Sequence, residues 1–235
     1  CLVPKVDVST ESVAGAEAVV RYHHKDLGIV NPGKYINLLE ETKLSHYLDL
    51  YVFEEVCKTL HKWEVEGIPL IPVSVNFAGA TLRQESIAHK MLHLIEKYHV
   101  RCEYLEVEVS ESSNDMNQEM LAETSSKIRK GNVRVILDHF GAKDSSFSIL
   151  SLMEFDGLKL DKSLITNIVG NARSRIVAQA VIDICRQLGA SVQAAGVETQ
   201  DQLNVLKELG CDYAQGTLFN KPITIETFEV RYLKG

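Results

Sequence analysis

Short apolar runs alternate with segments of helical period along almost the whole chain, and this alternation most limits what it can fold into. Strand-like runs occupy 2–8, 16–21, 70–76, 103–109, 133–138, 157–160, 191–195 and 212–215. Between most of them, apolar residues recur every three or four positions, the period of a helix. Leu44, Leu48, Val52, Val56, Leu60 and Trp63 trace one face of a helix over 44–63, and further helices are predicted over about 83–98 and 116–130. Ile176, Ala180, Ile184 and Leu188 form a stripe that stops at Gly189, and a similar pattern stops at Gly210; glycine suits the left-handed turn that ends a helix. Strands separated by helices pair in parallel, because the helix carries the chain back to the starting edge. Eight such strands in 235 residues predict an α/β fold, a TIM-like (β/α)8 barrel. A doubly wound sheet is the alternative. Too little chain separates 2–8 from 16–21 for a crossover helix, so "STESVAG" reads as a hairpin turn and the first strand as antiparallel to the rest.

No repeat, low-complexity tract or Pro/Gly/Ser-rich linker interrupts the pattern, so 1–235 is predicted to be a single domain. A net charge of −7 argues against a nucleic-acid surface, which needs a basic patch, but not against a locally cationic nucleotide pocket. Five scattered cysteines without C-x-x-C spacing predict reduced thiols in a cytoplasmic protein. No apolar run reaches the roughly 18 residues of a membrane span, so no membrane contact is expected from this segment. The abrupt apolar opening "CLVPKVDV" predicts a fragment of a longer protein, whose remainder could include a membrane anchor or sensor.

Barrels of this kind carry their chemistry at the C-terminal ends of the strands. Those ends offer Asn76 ("SVNF"), Glu108 and Glu111 ("EVEVSES"), Asp138 ("LDHF"), Lys159 ("LKLD") and Gln215 ("AQGTLF"), while Glu17 interrupts the apolar run "AEAVVR". A carboxylate in an apolar strand is costly unless paired or metal-bound. Each residue alone could be a strand end turned to solvent. Together, Glu17, Asn76, Glu108 and Asp138 make an all-oxygen set suited to Mg²⁺ or Mn²⁺. Other features read as structural. His89 and His93 in "HKMLH" lack a third ligand, His23-His24 read as loop, Trp63 as packing, and "KIRKGNVR" as a solvated helix end.

The motifs occur in an order that resembles the EAL domain of bacterial cyclic di-GMP signalling. "EAVVR" resembles EALxR with Val19 for Leu, and "GIVNPGKYINLLEET" resembles G-x-I-x-P-x-x-F-I. "VSVNFAG", "LEVEVSES", "LKLDKSLI" and "LGCDYAQGTLFNKP" resemble VNLSA, LEITES, LKID-x-S-F and LGCD-x-x-QGYLFSKP. The resemblance implies a barrel with an antiparallel first strand, and two divalent metals that hydrolyse cyclic di-GMP to linear pGpG. It assigns Glu17, Asn76, Glu108 and Asp138 to the first metal and makes Lys159 the catalytic lysine. Arg21 would meet a ligand phosphate and Gln215 a guanine, with Val19, Glu198 and Pro222 near the ligand and Glu111 stabilising the loop.

Two departures fall on the second metal. "LDHFGAKDSS" resembles LDDFGTGYSS, so His139 stands for the second Asp; "AAGVET" resembles AEGVET, so Ala195 stands for a metal-binding, water-activating Glu. Lys143 and Asp144 also alter the loop. One metal site is therefore expected and the second is not. Imidazole is a poor ligand for Mg²⁺, though it accepts Mn²⁺. Three readings stay open: a catalytically impaired receptor or regulatory module for cyclic di-GMP, an active phosphodiesterase with an altered site, and a protein-interaction module that no longer binds nucleotide. The implied setting is a homodimer in a multidomain protein with a separate signalling partner.

Overall fold

The computed structural model describes the chain apart from residues 27, 31, 43, 111–117, 143–145 and 235, and the side chains of 23, 29, 32–34, 37 and 40. Among the described residues the strands are β1 (Leu2–Asp7), β2 (Val13–Ala18), β3 (Tyr22–His24), β4 (Gly28–Val30), β5 (Val73–Phe77), β6 (Leu105–Ser110), β7 (Arg134–Phe140), β8 (Gly157–Leu160), β9 (Ser191–Ala195) and β10 (Tyr213–Gln215). Eight of them close a barrel in the order β1-β10-β9-β8-β7-β6-β5-β2. β1 is antiparallel to both its neighbours, and every other pair in the barrel is parallel. The expected barrel and its antiparallel first strand are both present. The turn is tighter than "STESVAG" suggested: Asp7 Oδ1 accepts the backbone N–H of Ser9 and of Thr10, and β2 begins at Val13. β2 also ends at Ala18, so Val19–Arg21 follow the strand rather than complete it.

Both strand faces are covered, which is why the strands read as nearly continuous apolar runs. One alternating set packs outward against helices; the Phe77 ring lies 5.8 Å from Phe53 of the helix Ser45–Val65. The other set fills the barrel and is unusually polar: Ser74, Glu106, Glu108, Asp138, Lys159, Gln193 and Gln215 are all buried. At the lower end Lys5 and Arg134 both pair with Glu106, and Gly15 leaves the room that Lys5 needs, since a Cβ there would meet its Cε at 2.6 Å.

The helix Ser45–Val65 buries Phe53, Val56, Leu60 and Trp63. Trp63 packs as expected, and its indole N–H also donates to Glu229 Oε1 at 2.9 Å. The helix Ala172–Leu188 corrects the sequence reading. Its buried face is Ala178, Val181, Ile182 and Cys185, while Ile176 is 68% exposed and Leu188 54%. A strict spacing of four drifts by about 40° per step, so the four predicted residues wind around the helix, and of them Ile184 packs against the core. Both C-caps are as expected, with Gly189 at φ 73° and Gly210 at φ 75°.

His23-His24 are not loop: they lie in β3, which pairs with β4 in a small antiparallel sheet. The helix Pro32–Glu41 follows and was not foreseen. The "KIRKGNVR" segment is more than a solvated end, because Arg129 pairs with Asp156 and Glu154 and Arg134 pairs with Glu106. All five cysteines are free thiols. Among the described residues, no helix is long and apolar enough to cross a membrane.

Candidate active site

The upper interior of the barrel holds a continuous set of polar side chains, and their placement follows from strand register. Asn76 pairs in register with Glu108 and stands level with it, while Asp138 pairs with Ser110, two residues further toward the C-terminal end of the strands. β7 breaks its register with β8 between Leu137 and Phe140. This bulge turns both Asp138 and His139 to the mouth and leaves His139 at φ 58°.

Lys159, from β8, is the hub. Its Nζ lies 2.6 Å from Glu108 Oε2, 2.9 Å from Glu17 Oε2 and 3.8 Å from Asp138 Oδ1. Glu17 also accepts from Asn76 Nδ2 at 2.7 Å and from Gln215 Nε2 at 2.8 Å. Glu108 accepts from Ser74 Oγ at 2.7 Å. Burial, together with the Glu17 and Asp138 charges, pushes the Glu108 carboxyl up to about 7 against the pull of Lys159. Burial opposes charge on Glu17 too, but Lys159, Asn76 and Gln215 outweigh it and hold that carboxyl below its usual value. Lys159 is held well above its ordinary value, because the three carboxylates overcome the burial that would lower it.

His139 bridges two acids. Its Nε2 lies 3.3 Å from Asp138 Oδ2 and its Nδ1 3.1 Å from Asp161 Oδ2. Asp161, which the sequence reading did not single out, also caps the short helix Lys162–Thr166 through the N–H of Ser163. The available signal was its place two residues after Lys159 in "LKLDKS".

These groups lie at a cavity of about 660 Å³. Glu17, Val19, Arg21, Asn76, Asp138, His139, Lys159, Ala195 and Gln215 line it, with Ser45, Leu48, Asp49 and Val52 as a helical wall. Glu108 lies beneath, only 2% exposed. Among the described residues the buried Ser45 hydroxyl has no hydrogen-bond partner, which sequence reasoning gave no means to foresee. Glu198 and Pro222 are not in the lining; Glu198 is exposed and its backbone N–H donates to Gln202 Oε1. Glu111, Lys143 and Asp144 lie outside the described residues. Gly216 fixes the segment after Gln215, since a Cβ there would stand 2.0 Å from the Val197 carbonyl oxygen.

The donor set suits a hard divalent cation. Three carboxylates already face one positive charge, and Asn76 adds a neutral carbonyl. Among the described residues no three acidic, His or Cys side chains form a ready coordination cluster, and the Lys159 ammonium lies between the acids. A cation would have to share that space with it.

The fold is shared with solved proteins. PaMucR phosphodiesterase, solved as its c-di-GMP complex, superposes with a TM-score of 0.89 at 25% identity, covering 97% of this chain and 92% of that one. Klebsiella pneumoniae BlrP1, solved as a manganese/cyclic di-GMP complex, gives 0.81 at 21% identity over 94% of this chain and 55% of that one. In sequence, the chain is 30% identical over 226 residues to the cyclic di-GMP phosphodiesterase PA2567 of Pseudomonas aeruginosa. That match takes in 96% of this chain but spans only 38% of its relative's length. With the family's pattern matched over residues 1–222, the chain belongs to the EAL domain family.

Proposed function

We propose that this chain is a cyclic di-GMP-binding domain whose second cation position is disabled, so that it serves as a receptor or regulatory module with little hydrolysis. One observation carries the reading: the cavity wall presents the Ala195 methyl and the His139 imidazole beside an intact set of Glu17, Asn76, Glu108 and Asp138. Two-metal phosphodiester hydrolysis needs one cation to generate hydroxide and another to clamp the phosphate. Two dications 4 Å apart repel by roughly 16 kcal/mol at an effective dielectric of about 20, so each missing carboxylate weighs heavily. Ala195 supplies no ligand, and the His139 ring is already engaged by Asp138 and Asp161.

In this reading, Glu17, Asn76, Glu108 and Asp138 hold one Mg²⁺ or Mn²⁺, which supplies positive charge against the ligand phosphate. Arg21, at the cavity rim, binds a phosphate through its guanidinium fork. Lys159 balances the carboxylates and keeps its proton. Val19 packs against the ligand and Gln215 orients Glu17. Glu198 and Pro222 contribute only if the ligand extends past the cavity. The relatives' cyclic di-GMP activity and complexes support the ligand assignment. We further propose that 1–235 is one domain of a longer cytoplasmic signalling protein that acts as a homodimer on a separate partner.

The test is calorimetric titration with cyclic di-GMP, with and without Mn²⁺, followed by analysis for pGpG. Saturable binding with negligible product is expected. Robust turnover would establish an active phosphodiesterase instead, and no binding under either condition would leave a protein-interaction module.

A further inference from the structure

We infer that Gln193 is a positioning residue that sets the cation affinity of the Glu17 site by fixing the orientation of the Gln215 carboxamide. The inference rests on the cation reading proposed above. Gln193 lies in β9 at the level of Lys159, inside the barrel and 5% exposed. Its Nε2 donates to Gln215 Oε1 at 2.5 Å, and Gln215 Nε2 donates to Glu17 Oε2 at 2.8 Å. A carboxamide has an accepting end and a donating end of nearly the same shape, so only its neighbours decide which way it points. Glu17 calls for the donating end. Gln193 satisfies the accepting end, which is buried with Gln215 at 6% exposure. Without Gln193, that oxygen would be an unmet buried acceptor, and rotating the amide to relieve it would turn the oxygen onto the Glu17 carboxylate. Gln193 thus excludes the wrong orientation without touching Glu17.

Glu17 is then held from several directions. Asn76 binds Oε1, while Lys159 and Gln215 bind Oε2. Partners one step removed from a metal ligand typically change metal affinity by about 10- to 100-fold. Neither the family's cyclic di-GMP chemistry nor the loss of acids at positions 139 and 195 calls for a glutamine at 193; the geometry does.

The test uses Gln193→Met, which keeps length but removes the donor, and Gln193→Glu, which keeps shape but presents only acceptors. Mn²⁺ affinity is measured by electron paramagnetic resonance, and the Gln215 side-chain amide is followed by ¹⁵N NMR in the metal-free protein. Gln193→Met should weaken Mn²⁺ binding about tenfold. Gln193→Glu should weaken it further and move the Gln215 amide resonances, as its amide turns toward the new carboxylate. Gln193→Met added to Gln215→Met should cost nothing more, because the first acts through the second. Unchanged Gln215 resonances in both variants, or additive losses in the double variant, would overturn the inference. If the wild type binds no Mn²⁺, the cation reading fails, and the Gln215 resonances alone decide whether Gln193 sets the amide. Gln193→Glu remains the decisive variant if Gln193→Met does not fold.

Discussion

Lys159 Nζ lies 2.6 Å from Glu108 Oε2 in the barrel interior, and both side chains are at most 5% exposed. The ammonium therefore acts as the resident positive charge of a site built from acids. Lys159→Met leaves Glu17, Glu108 and Asp138 without compensation. Removing one partner of a buried ion pair costs about 3–5 kcal/mol, which for a chain of this size lowers the melting temperature by about 10 °C. Saturating Mn²⁺ should recover part of the loss. Thermal melts with EDTA and with Mn²⁺ check this, and a variant as stable as the wild type in EDTA would show that the acids are not charged together.

The pH dependence of the metal-free protein should fall on Glu108. Its carboxyl is raised from 4.5 to about 7 by burial and by the neighbouring acids. A raised folded value means that its contribution is fully present below about 4.5 and is lost as pH rises through about 7. Metal-free stability should therefore decline across that window, and Mn²⁺ binding should tighten across it as the competing proton leaves. Glu229 acts in the opposite sense. Burial would raise it, but Lys62, Lys234 and Trp63 hold it at about 2, so its contribution is lost only as pH falls below 4.5. Melting curves between pH 2 and pH 8 check both, and Glu108→Gln should flatten the upper part of the EDTA series.

Hydrolysis should return only when both missing acids return. His139→Asp restores one carboxylate at a backbone position that Asp tolerates, since Asp visits positive φ more readily than most residues. Ala195→Glu restores the other, and neither alone completes a second site. Together they should raise pGpG production by about 100-fold or more, in keeping with the value of a positioned acid or base. Product is measured for wild type, both single variants and the double variant at equal ligand occupancy. Efficient turnover by the wild type would show that His139 is a competent ligand.

Gly216→Ala should be among the most damaging small changes in the chain. The added methyl would overlap the Val197 carbonyl, so one of two backbone segments must move. Overpacking of this kind costs about 1–3 kcal/mol. The shift would also move Gln215, its neighbour in sequence. A drop in melting temperature with weaker cyclic di-GMP binding is expected, and unaltered affinity would show that Gln215 does not sense this turn.

The barrel was legible because buried parallel strands leave a strong trace: Val73–Phe77, Leu105–Ser110 and Gly157–Leu160 fall within a few residues of their predicted limits. Tyr22–His24 and Gly28–Val30 were missed because strands of three residues carry no periodicity. The face of Ala172–Leu188 was misread because that helix has two apolar stripes and the larger side chains lie on the exposed one. At the site, Glu17, Asn76, Asp138, Lys159 and Gln215 could be picked out as polar residues at apolar strand ends. The links between them could not. The bond from Gln193 to Gln215 joins two strands, and the Asp161–His139 contact depends on a bulge that nothing in "LDHF" announces.

That bulge in β7 separates shape from chemistry. In a regular strand, neighbouring side chains point to opposite faces, so Asp138 and His139 could not share one cavity. Here the irregular main chain brings both to the same cavity mouth. Position 139 thus owes its place at the cavity to the backbone rather than to strand alternation. On the reading proposed above, His139→Asp is a change of part in an intact frame, and one codon could make it.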